Sequence, residues 1–142
     1  MPKKPTLTKD KVPVWCLGWQ EVLGLGDWDI EVNVVPHAEL MERTNDSSVM
    51  GDCRTNTEHK WATIAAIDPD TDIHPSNRMK YDLEFTLLHE HLHICFDAMD
   101  RVTEDMVGML GSESRTLMRR AYNNAQEQLI NQLTKAFRSV KR

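Results

Sequence analysis

The segment Leu87-Leu88-His89-Glu90-His91-Leu92-His93 places three side chains able to work on one metal ion within about a turn of chain. His89 and His93 are four residues apart, and an α-helix turns once every 3.6 residues, so both imidazoles fall on one face. Two imidazoles so placed can bind one zinc ion. Glu90 lies about 100° round the helix from His89 and about 60° from His93. From there its carboxylate reaches a water on the metal rather than the metal itself. Zinc brings the pKa of such a water close to neutral, and a neighbouring carboxylate can take its proton. A bare H-E-x-x-H also arises by chance, as two partnered histidines on a helix. The neighbours argue for the metal: Phe85, Thr86, Leu87, Leu88 and Leu92 mark a largely buried helix, where two imidazoles and a carboxylate are costly without a shared ligand. Phe85, Leu92 and Phe96 are expected near the ligand face, making the site partly apolar. His91 lies about 200° from His89, on the side of Glu84. It is expected to face solvent, or to back the ligands without sharing their metal.

A catalytic zinc usually takes three protein ligands and a water. The glycine and third histidine that could extend the motif are replaced by Phe96 and Met99, and no histidine follows His93. The third ligand is therefore expected to be a carboxylate, from Asp97, Asp100, Glu104, Asp105, Glu113 and Glu127. Glu113 and Glu127 are the strongest candidates, because a downstream helix can return a Glu to the site. The plain alternative for Glu127 is an exposed helical residue beside Asn123, Asn124 and Asn131.

The elements that must position these groups follow from periodicity. Residues 13–24 read as a short amphipathic helix ending at Gly24 or Gly26. Residues 28–35 alternate apolar and polar with many β-branched side chains, predicting a half-buried strand stopped by Pro36. Residues 37–59 are polar, with a short strand expected around Val49 to Arg54. Residues 60–67 predict a second clear strand. Asp68-Pro69-Asp70-Thr71-Asp72 predicts a turn. It does not predict an EF-hand, since Ile73 and Met79 stand where glycine and the bidentate glutamate are required. The metal helix is expected from about Arg78 to Asp97, then a loop over Met99 to Gly111, then a long helix from about Ser112 to Val140. On that helix Leu117, Met118, Ala121, Tyr122, Ala125, Leu129, Leu133, Ala136 and Phe137 share a face, with Glu127 opposite. The expected fold is α+β, a short mixed or antiparallel sheet packed on the metal helix and a long C-terminal helix.

The length of 142 residues suits one domain, with residues 1–12 as a flexible lead-in, and 40% hydrophobic residues permit a sizeable core. A net charge of −5 argues against a general nucleic-acid binder. The basic residues near each end (Lys3, Lys4, Lys9 and Lys11; Lys135, Arg138, Lys141 and Arg142) read as solvated termini. Three cysteines without a C-x-x-C pair exclude a disulfide framework or Cys-rich zinc knuckle, and Cys95 is expected in the core. The opening residues lack the apolar stretch of a secretory signal, and no window approaches the roughly 20 apolar residues of a membrane span. The expected compartment is a reducing cytoplasm.

The stretch Asp82 to His93 resembles the metal helix of zincin-like metallopeptidases, and more narrowly that of small metallopeptidases of phages and prophages. Similar chains open with a W…LGL..W.I.V pattern, here Trp19 to Val32. They continue with an Ala-rich strand, here Ala62 to Ile67, and close with an E-Q-x-I-x-x-L type helix, here Glu127 to Leu133. The resemblance spans most of the chain, but only the metal helix is specific. It implies a minimal gluzincin-like site of His89, His93 and one glutamate, with Glu127 preferred to Glu113, and Glu90 as general base in a single-zinc peptidase. It also implies a peptide substrate paired with an edge strand, by analogy residues 60–67, and the host cytoplasm if the gene is a phage's. His91 departs from the pattern, which usually has an apolar residue there. Two other functions compete. A non-catalytic phage structural or host-interaction protein would use zinc as a staple. A metal-dependent ribonuclease of the H-x-x-x-H-x-x-x-x-x-H type would need a third histidine where Met99 stands.

Overall fold

Pro36 and Asn45 bracket a helix that polar composition hides, and the order of elements follows from such local stops. A computed structural model describes residues 6–71 and 81–140. After a 3₁₀ turn at Lys9–Lys11 come α1 (Val12–Val22), β1 (Asp29–Val35), α2 (His37–Thr44), β2 (Gly51–Asn56) and β3 (Trp61–Ile67). These are followed by α3 (Leu83–Cys95), α4 (Asp97–Gly108) and α5 (Ser112–Val140). The fold is α+β, with a three-stranded mixed sheet in the order β1-β3-β2. β3 pairs parallel to β1 (Val32 opposite Ile64) and antiparallel to β2 (Cys53 opposite Ile64).

Local chemistry explains the boundaries. Pro13 sits in the first turn of α1, where its missing N–H costs nothing. Pro36 precedes α2, and Asn45 ends it in the left-handed region at φ 54°, which asparagine tolerates. The Asp82 carboxylate caps α3 by accepting from the Phe85 amide at 3.1 Å. The start of the metal helix expected at 78–80 lies outside the described residues, as does Asp72 of the expected turn. Within that turn, Asp68 accepts from the Asp70 amide at 2.9 Å.

The Ala-rich composition of β3 has a packing reason. Ala62, Ile64 and Ala66 meet α1 and α3, whereas Ala65 and Ile67 meet Leu40 of α2, so both faces are buried. α3 crosses the first face and is buried nearly all round. A third cluster joins Trp19 of α1, Leu88 and Leu92 of α3, and Ile130 of α5, with Leu133 and Phe137 at its border. That cluster docks the long helix.

Several expectations are corrected. The segment 99–111 is mostly α4 rather than loop, since Val107 buries and its acidic first turn suits a helix N-terminus. Residues 37–59 contain α2 as well as β2. The lead-in is packed from Leu7 onward: Leu7 and Val12 are buried and Lys9 pairs with Asp68 at 2.6 Å. Cys95 is exposed, because it ends α3 on the side away from the core. The strand 60–67 is central, not an edge; hydrogen bonding on both sides closes it to an added strand, and β1 and β2 are the edge strands among the described residues. Only the C-terminal part of the apolar stripe read along α5 docks, through Leu133 and Phe137. Leu117, Met118 and Leu129 are exposed, while Ile130 and Thr134 are fully buried. Ile130→Ala should cost about 2–5 kcal/mol of stability, read by urea unfolding, because a fully buried side chain leaves a cavity.

Candidate metal centre

α3 carries His89 and His93 one turn apart, and the docking of α5 brings Glu127 over them. The His93 Nε2 lies 2.9 Å from Glu127 Oε1, and the His89 Nε2 lies 3.2 Å from Glu127 Oε2. The two Nε2 atoms are 3.2 Å apart. Among the described residues these three form the group of donors able to hold a metal ion. Zinc–nitrogen bonds of 2.0–2.1 Å at tetrahedral angles put donors about 3.3 Å apart, close to this triangle. The donor chemistry gives a second test. Carboxylate oxygens only accept, so without a cation both imidazoles would turn N–H toward Glu127 and confront each other at close range. A cation resolves the conflict by taking both lone pairs.

Of the two glutamates favoured from sequence, Glu127 joins the site and Glu113 does not. Glu113 lies in the first turn of α5, 14 residues earlier, which is about 21 Å along a helix axis. Asp97, Asp100, Glu104 and Asp105 are also outside the donor group. Asp97 instead braces the scaffold, since the hydroxyls of Thr55 (2.6 Å) and Thr57 donate to its carboxylate. This ties the end of β2 to the junction of α3 and α4. Asp100 accepts from the Tyr122 hydroxyl at 2.7 Å and the Gln126 amide at 2.5 Å, next to Glu127. Glu104 pairs with Arg119.

Glu90 is 7% exposed and lines the same cleft as the triad. It accepts no hydrogen bond within the described residues. Burial pushes its carboxyl up to about 8, with Glu127 and then Asp52 adding to the rise. A positive ion beside it would reverse that cost. Gly51 of β2 makes room for it: a Cβ there would stand 2.7 Å from Glu90 Oε1 and 2.7 Å from Thr86 Cγ2. Burial is also the first reason the His89 imidazole titrates below its ordinary value, Glu127 opposing it and His93 adding to it. A neutral imidazole is the form that binds a metal. Asn131 lines the cleft beside His89 and raises its proton affinity a little, against the effect of burial. Neither Gly51 nor Asn131 was marked as functional by the motif. Asn131 does lie four residues after Glu127, one turn along the same face.

Phe85 lies against the His89 ring, with centroids 6.2 Å apart, and lines the cleft as expected. Leu92 and Phe96 instead pack with Trp19 and Ile130 behind it. His91 faces neither solvent nor the triad. It is fully buried against α1 and β1, because the face of α3 opposite the ligands is covered by those elements. Its Nδ1 donates to the Leu87 carbonyl at 2.7 Å, and burial holds the ring neutral.

The cleft above these groups has a volume of about 790 Å³. It runs from the loop after α2, over β2, to α3 and α5. No family model matches this chain, and no curated protein or solved structure shows significant similarity to it.

The buried Glu90 makes stability depend on pH when no metal is bound. In the unfolded chain the carboxyl loses its proton near its ordinary 4.5, whereas the folded chain holds it to about 8. The folded state therefore binds more protons between these values, and the free energy of unfolding falls as pH rises. Chelator-treated protein should lose stability between about pH 5 and 8, by on the order of a few kcal/mol from this group. Glu90→Gln should flatten that loss, as urea titrations across pH would read.

Proposed function

We propose that this protein is a zinc-dependent hydrolase that cleaves peptide bonds. The observation that carries the reading is the convergence of His89, His93 and Glu127 on the floor of a cleft, with the buried, donor-less Glu90 beside them. Zinc suits two imidazoles and a carboxylate. Bound there, it supplies a Lewis acid and makes an adjacent water acidic. Glu90 accepts the proton of that water and later delivers it to the leaving amine. Gly51 leaves the Glu90 carboxylate space to swing between water and leaving group.

The peptide class is supported by the edge of β2. Among the described residues β2 pairs with β3 alone, and Gly51, Asp52, Cys53 and Thr55 of β2 line the cleft. An extended backbone brings matching donors and acceptors to such an edge. The alternative of a structural zinc staple requires four protein ligands, whereas three converge among the described residues and face an open cleft.

Glu90→Gln should retain one zinc per chain by elemental analysis and lose hydrolysis by roughly 10²–10⁴-fold, while His93→Ala and Glu127→Ala should lose the metal. Full activity in Glu90→Gln would overturn the reading. Gly51→Ala should lower kcat roughly ten- to a hundredfold with a smaller change in KM, because the added methyl displaces the general base rather than the substrate.

A further inference from the structure

The geometry points to a cationic polypeptide segment, with lysine or arginine close to the scissile bond, as the substrate of this cleft; the inference rests on the hydrolytic reading. Among the described residues five carboxylates line the cleft, from Asp46, Asp52, Glu90, Asp100 and Glu127, and no lysine or arginine does. Glu127 and Glu90 are committed to the metal and to proton transfer. A divalent ion balances those two charges. Three carboxylates then remain for whatever enters, Asp46 and Asp52 on the β2 side and Asp100 on the helical side.

The nearby cations leave this balance largely intact. Arg54 reaches Asp52 at 3.1 Å, but its side chain is 62% exposed, so it offsets that charge only in part. Arg43 is engaged by Glu39 at 2.7 Å. Asp46 is held by the Ser48 hydroxyl at 2.6 Å and the Ser48 amide at 2.8 Å, both of which favour the ionised carboxylate. The floor adds no compensating protein cation: Glu90 is buried there without a hydrogen-bond donor among the described residues. A volume of about 790 Å³ corresponds to a span of roughly 9 Å, near one Debye length at physiological salt. The remaining carboxylates therefore act together on a bound segment, and walls of low dielectric concentrate their field. The same field repels acidic peptides and nucleic acid.

The test uses zinc-loaded Glu90→Gln chain, so that binding is read without turnover, and two fluorescent peptides identical except that lysines in one are glutamates in the other. The lysine peptide should bind roughly tenfold tighter or more at low salt, with the advantage shrinking as salt rises. Asp46→Asn with Asp52→Asn should cut that ratio roughly three- to tenfold. Equal binding, or tighter binding of the glutamate peptide, overturns the inference. Turnover of the same pair by the zinc-loaded unsubstituted chain separates the two readings. Binding preference without cleavage of either peptide sustains the charge selectivity and rejects the peptidase. Equal affinity with equal cleavage rejects the selectivity and sustains the peptidase.

Discussion

The Glu127 carboxylate spans two imidazoles from another helix, with 2.9 and 3.2 Å separations, and much of the architecture serves to keep it there. α3 supplies the histidine pair by helix periodicity alone. Glu127 arrives only if α5 docks at the right rotation and height. Both are set by Ile130, one turn further on, in its contact with Trp19, Leu88 and Leu92. Asp100 secures the same region of α5 from the other side, through Tyr122 and Gln126. A long helix with a half-exposed apolar stripe is the consequence. Its orientation follows the face that carries Ile130 and Thr134, with Leu133 and Phe137 of the stripe at its border.

The second constraint is the burial of Glu90. A carboxylate nearly removed from water, with no donor, is unfavourable unless something compensates it. The fold places it against Gly51, where backbone passes closest, and beside two further acids, Asp52 and Glu127. In isolation such a group would be a defect. A cation beside it would favour the ionised carboxylate and offset the rise that burial causes, which in the proposed hydrolase leaves a base free to take a proton.

The sheet contributes mainly position. β3 is buried on both faces and bonded on both edges, so it acts as a rigid spine. β2 is fixed to it on one side. The Thr55 and Thr57 hydroxyls anchor the far end of β2 to Asp97, where α3 gives way to α4. β2 and α3 therefore hold a set separation, and the loop after α2 completes the cleft beside them.

The legible part of this chain was local. The spacing of His89, Glu90 and His93, the strands around residues 29–35 and 61–67, and the long last helix each depend on periods of two or 3.6 residues. The α+β class followed from their order. Helices α2 and α4 were missed because their polar, acidic sequences carry weak apolar periodicity, and their stability comes from single anchors such as Leu40 and Val107. What tertiary structure decided was which groups meet. Helical angles placed His91 opposite His89 correctly, but only the packing of α1 made that face a buried one. Glu113 and Glu127 sit on one helix and are chemically alike. The choice between them required the docking of α5, because contact between residues 34 or more positions apart depends on side-chain packing that no local spacing records.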